Sequence, residues 1–160
     1  KNTGNTVTDK FDDLITISYK ENGQWKYYEF PATTEPGLSP MLNAGGAGVA
    51  RIIPGQYINS HSVNLHQGKY LALKQFKPIK FYRDANRNDQ YDNQYLNEGT
   101  VGLNIHKAGE DSQIVARNSE GCQVFKRLRD YNFFINTCFR ASKINENRFT
   151  YTLLESTDIT

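Results

Sequence analysis

Two residues of this chain can pair nucleophile with base: Cys122 and His106, sixteen positions apart. The span from Asn104 to Gln123 also holds Lys107, Ser119 and Gly121. A cysteine nucleophile needs thiolate character and an acceptor for its proton, and an imidazole supplies the acceptor. Gly121 stands directly before the sulfur. Glycine takes positive φ freely, so the chain can turn sharply there and aim backbone N–H groups at a developing oxyanion. A helix beginning just after Cys122 would add its positive end and favour the thiolate.

The elements that must position this pair are mostly strands. Leu14 to Tyr19 alternates, Asn22-Gly23 is a strong hairpin turn, and Trp25 to Phe30 returns. Pro31 to Gly48, with three prolines and four glycines, reads as a long loop that could serve as a lid or substrate rim. Val49 to Ile53 reads as a strand, Pro54-Gly55 as a turn, and Gln56 to Ile58 as extended. Ser60 to Gly68 reads as a polar loop carrying His61 and His66. Tyr70 to Phe76 and Ile79 to Tyr82 are strands, Asp84 to Asn97 is Asx-rich, and Gly99 to Ile105 is a β-like run leading to His106. Val124 to Ala141 has helical spacing, with Phe125, Leu128, Tyr131, Phe134, Ile135, Cys138 and Phe139 on one face. Arg148 to Leu154 is a last strand. The expected fold is a mostly-β barrel or sandwich with one main α-helix after the cysteine.

Length and composition suit one domain at residues 11–155, preceded by a linker or frayed lead-in at 1–10. The net charge of +2 is too mild to imply nucleic acid or a membrane surface. No apolar run approaches the roughly 20 residues of a membrane span. Two cysteines do not make a disulfide framework. Cys138, among aromatic neighbours on a helical face, reads as a small buried hydrophobe. The chain lacks a starting Met and a signal segment, and it reads as an excised domain or processed product.

Ile105-His106-Lys107 and Ser119-Glu120-Gly121-Cys122 resemble the active-site motif of the L,D-transpeptidase (YkuD-like) family. There a strand-borne histidine is followed some fourteen to eighteen residues later by Ser-His-Gly-Cys. Pro54-Gly55-Gln56-Tyr57 resembles the turn that precedes the catalytic region, and the likeness spans Val49 to Phe125. The chain departs from the pattern at Glu120, where the family has histidine, and at Lys107 and Gln123-Val124. The resemblance implies an L,D-transpeptidase-like domain, outside the cytoplasm, acting on peptidoglycan stem peptides through a thioester, with no cofactor. In that reading Cys122 attacks, His106 takes the proton, and a backbone carbonyl such as that of Lys107 fixes the imidazole tautomer. The N–H groups of Gly121 and Cys122 hold the oxyanion, with Ser119 in the same loop. It also implies a larger parent protein, of the envelope or a virion, as a further partner. Glu120 equally suits a module that keeps the fold and holds peptidoglycan without cleaving it, and the Asn/Thr-rich start suits a structural domain.

Further candidates stand outside the motif. Arg117 and Arg83 suit stem-peptide carboxylates, and His66 suits the pocket lining; Tyr57, Tyr70, Tyr82 and Arg83 suit the rim of a groove for a sugar or peptide, and Glu120, within the motif, is a further substrate-binding candidate. Asp84 to Asp89 resembles the start of a calcium loop but has Asp89 at the glycine position and Tyr95 at the glutamate position. It reads better as a rigid Asx turn. The three histidines and Cys122 follow no zinc spacing.

Overall fold

A computed structural model describes residues 1, 3–93, 95–110 and 112–159. The first hairpin forms as its sequence dictates. β1 (Asp13–Glu21) pairs with β2 (Gln24–Thr33) from Asp13↔Ala32 to Glu21↔Gln24. Asn22 and Gly23 both take positive φ, the geometry that a tight two-residue hairpin requires. The Pro-rich loop is shorter than expected. β2 extends to Thr33, and a short helix α1 (Leu38–Leu42) occupies its middle.

β3 (Val49–Ile52), β6 (Ile79–Asp84) and β7 (Tyr95–Gly99) form a three-stranded sheet in the order β3-β6-β7. β4 (Gly55–His66) and β5 (Tyr70–Gln75) pair through to His66↔Tyr70. Ser60 to His66 is therefore strand, not loop. Its polar look comes from the alternation of Ser62, Asn64 and His66 with Val63 and Leu65. β8 is Ile105–Lys107, β9 is Gln123–Phe125 and β10 is Phe149–Leu153. These complete a seven-stranded sheet, β1-β2-β9-β8-β5-β4-β10. Its one parallel pair is β8 with β9, in the register Ile105↔Gln123 and His106↔Val124.

The helix begins later than its apolar spacing suggests. α2 spans Leu128–Ile144, because Gln123–Phe125 is taken by β9. Tyr131, Phe134, Ile135 and Cys138 are buried against Phe30, Val63, Leu73, Ile105 and Phe125. The Tyr131 hydroxyl donates to Leu71 O and ties helix to sheet. Cys138 is a packed apolar group, as its neighbours indicated, while Phe139 stays partly exposed. The architecture is mostly β with one main helix.

Several described residues of the first ten are tied to the rest of the chain. Val7 is buried, Val7 N–H donates to Asp89 O, and Tyr91 N–H donates to Asn5 O. Asp9 Oδ1 accepts from the N–H groups of Leu38 and Ala116, both at 2.9 Å. Lys1 pairs with Glu35 at 3.1 Å, and Arg51 holds the same carboxylate at 2.8 Å while lying over the Tyr91 ring. These contacts join segments far apart in the chain, which no local pattern reveals.

His61, fully buried in β4, is a structural histidine. Its Nε2–H donates to Leu103 O, and Ser60 Oγ, whose hydroxyl donates to Tyr57 O, lies beside Nδ1, each at 2.9 Å. Burial lowers its pKa to about 4, against a pull upward from the Leu103 bond. The unfolded chain therefore takes up this proton first as pH falls. Stability is lost between about pH 6.5 and about pH 4, by about 3 kcal/mol from His61. Urea unfolding across that range is expected to show the fall, with a shallower slope in His61→Gln. An unchanged slope in the variant would assign the loss elsewhere.

Candidate functional site

The parallel pair β8–β9 builds the site. Ile105 enters the core beneath α2, so Asn104 and His106, one step to either side, project to the opposite face. His106 is abreast of Val124, and Cys122 precedes Val124 by two residues. The same period of two brings the thiol to the face that carries His106. The neighbouring pair His66↔Tyr70 closes the cluster from β4 and β5.

His106 is buried, and its Nδ1–H donates to Lys107 O at 2.8 Å. That bond places the proton on Nδ1 and leaves the Nε2 lone pair free to accept. The Tyr70 hydroxyl lies 3.5 Å from the same Nδ1. The ring of His66 stacks on His106 with centroids 4.5 Å apart, and Asn104 Nδ2 stands 3.4 Å from His66 Nδ1. Burial pushes the His106 pKa down to about 4; the Lys107 bond opposes this, and the neighbouring His66 adds to it. His66 is also lowered, first by burial and then by Lys74 and Lys69. Both imidazoles are neutral bases at pH 7.

Cys122 is partly exposed, and its thiol donates to Gly102 O at 3.3 Å. Burial raises its pKa to about 11; the Asn104 N–H near the sulfur opposes this, and Glu120 adds to it. The resting pair is thiol and neutral imidazole, not the ion pair the sequence suggests. The physical reason is burial, which disfavours the thiolate, with Glu120 acting in the same direction. α2 starts beyond β9, six residues after the cysteine, so its positive end does not stand directly behind the sulfur.

The loop before the sulfur is held from both sides. Ser119, buried, donates from Oγ to Cys122 O at 2.7 Å and accepts from Gly121 N–H at 3.1 Å. The Gly121 N–H is thereby engaged and is not the oxyanion donor the sequence suggests. Gly121 has φ +132°, and a Cβ there would sit 2.2 Å from Ala50 O. Gln75 braces the approach to β8. Its Oε1 accepts from the N–H groups of Val101, Gly102 and Leu103, and Asn104 Oδ1 caps the Gln75 N–H. Val101 to Asn104 is thus a braced loop; the β-like run from Gly99 breaks into β7, this loop and β8.

The remaining sequence candidates lie elsewhere. The Tyr57 hydroxyl donates to Ile53 O at 2.6 Å, and its ring stacks on Tyr151, so it secures the β3–β4 turn. Arg83 donates to Gly48 O at 2.9 Å and lies over Phe81. Arg117 and Glu120 are exposed and line a separate hollow beside α1. The Asp84 segment is a run of Asx turns: Asn86, Asn88 and Asp92 accept or donate within it. Among the described residues, no three His, Cys, Asp or Glu side chains are grouped to hold a metal ion. No helix among them is long and apolar enough to cross a membrane. Gln75 and Gly102 escape sequence reading, because a glutamine in an alternating strand and a lone glycine carry no signal. Asn104 was legible in principle, two residues before His106 on one strand face.

No protein-family model, no curated protein and no solved structure matches this chain.

Proposed function

We propose that this chain is a cysteine acyl-transfer enzyme acting on peptidoglycan stem peptides, on a diverged L,D-transpeptidase-like fold. The observation that carries the reading is the 2.8 Å bond from His106 Nδ1–H to Lys107 O, on the strand beside Cys122. A histidine held in that tautomer presents Nε2 as a base. In the proposed step, Cys122 Sγ bonds to a peptide carbonyl carbon as the thiol proton passes to His106 Nε2. The carbonyl electron pair moves onto oxygen. The Cys122 N–H makes no hydrogen bond among the described residues and serves in this reading as the backbone donor to that oxygen. Collapse breaks the C–N bond, and His106 returns the proton to the leaving amine. The thioester then passes to an acceptor amine or to water. The site of action is outside the cytoplasm, in the periplasm, wall or a virion, where the substrate is.

A second reading is favoured by one observation: the thiol is raised to about 11 and hydrogen-bonded to Gly102 O. In that reading the domain holds stem peptides without cleaving them, within a larger envelope or phage assembly. Incubation with defined muropeptides, read by mass spectrometry, separates the two. The enzyme reading expects product from the wild type and none from Cys122→Ala. Binding by both proteins with product from neither would support the second reading.

A further inference from the structure

Immediately upstream of the nucleophile, a second feature is unexplained by the cysteine chemistry. α1, the loop after it, the start of β3 and the 3₁₀ turn Ala116–Asn118 enclose a hollow of about 270 Å³. Its wall is small and partly apolar, from Pro40, Ala44 and Val49, with Ser39 and Asn43 beside them. Arg117 and Glu120 both line it. The Arg117 guanidinium has one contact, Ser39 Oγ at 3.4 Å. The Glu120 carboxylate makes no hydrogen bond or ion pair among the described residues.

Arg117 and Glu120 form no ion pair with each other, and the backbone beneath them is held. Glu120 O accepts from Ala50 N–H at 2.9 Å, and Ser119 O accepts from Gly37 N–H at 3.0 Å. Gly37 is packed so closely on Ala116 that a Cβ would lie 2.0 Å from its carbonyl oxygen. The backbone that carries the two charges is thus held in place and need not be ordered on binding. The hollow is just below the roughly 300 Å³ at which sites for drug-sized ligands begin, which suits a single amino-acid unit.

We propose that this hollow binds a zwitterionic amino-acid unit, with Arg117 on its carboxylate and Glu120 on its ammonium. Arg presents paired N–H donors that match a carboxylate, and a carboxylate is the natural acceptor for an ammonium. The identity of the natural ligand rests on the peptidoglycan reading, since stem peptides carry a diamino acid whose side chain can end in such a group. Only Gly121 separates Glu120 from Cys122 in the chain.

The test is an NMR titration of the whole chain with three probes: diaminopimelic acid, N-acetyl-D-alanine (carboxylate only) and D-alaninamide (ammonium only). Diaminopimelic acid is expected to saturate, shifting the amides of Gly45 and Gly48, and each singly charged probe to bind at least about tenfold more weakly. Arg117→Gln and Glu120→Gln, both at exposed positions, are each expected to lower affinity for diaminopimelic acid about tenfold or more. Shifts indifferent to which charge is present, or no saturation by about 10 mM, would overturn the proposal. Failure here with thioester chemistry intact at Cys122 sinks only the hollow. Binding here without that chemistry sinks only the enzyme reading.

Discussion

Gly121→Ala is expected to cost the fold about 4 kcal/mol or more, read as a large drop in the urea midpoint. Two independent effects add. The φ of +132° lies in a region open to glycine and strained for any L side chain. The new Cβ would also fall 2.2 Å from Ala50 O and 3.0 Å from Ala50 C. Those are backbone atoms of β3, which is paired to β6 at Ala50↔Arg83 and bonded to Glu120 O through its own N–H. No rotamer change relieves such a contact; either β3 or the loop carrying Cys122 must move. A wild-type midpoint in this variant would mean that the loop does not lie against β3 as described.

His106→Ala is expected to lower the rate of acylation by roughly 10²–10⁴, the usual worth of a positioned general base. The pH dependence gives the direction of the proton. His106 is neutral above about pH 4 and Cys122 keeps its proton up to about pH 11. The competent form is therefore the neutral pair, and the rate is expected to be flat through neutrality. It falls as pH drops through about 4 and the imidazole takes a proton. A pre-formed ion pair would instead lose rate on the alkaline side as well, where the imidazolium gives up its proton. It would also label rapidly with iodoacetamide at pH 7, whereas the thiol described here is expected to label slowly. Wild-type acylation by His106→Ala, with an unchanged unfolding midpoint, would remove the histidine from the mechanism.

What the sequence made legible follows from local physics. Asn22-Gly23 specifies a two-residue turn, so the hairpin and its register could be read directly. The face of α2 from Tyr131 to Cys138 could be read from its period. The geometry at His106 also matches the implied Lys107 carbonyl contact, because residues adjacent in sequence need no tertiary information to meet.

The rest depends on contacts that local pattern does not encode. Val124, Phe125 and Leu128 fit helical spacing, yet Gln123–Phe125 is drawn into the sheet by β8, and tertiary pairing overrides the period. That one difference moved the helix away from the sulfur, and burial keeps both the thiol and the imidazole neutral. His66 was read in a polar loop, but the β4–β5 register stacks it on His106. Arg117 and Glu120 flank Ser119, within five residues of Cys122, yet the turn at Gly121 directs them to another hollow. The spacing of residues identifies a nucleophile and its base; the direction in which their neighbours face is set by strand pairing.

The measurement that bears most directly on the central claim is intact-protein mass spectrometry after brief mixing with a defined muropeptide and acid quench. The expected result is an added acyl mass, mapped by proteolysis to Cys122, weakened in His106→Ala and missing in Cys122→Ala. Muropeptide cleavage by the wild type with no adduct on Cys122, and undiminished cleavage by Cys122→Ala, would contradict it.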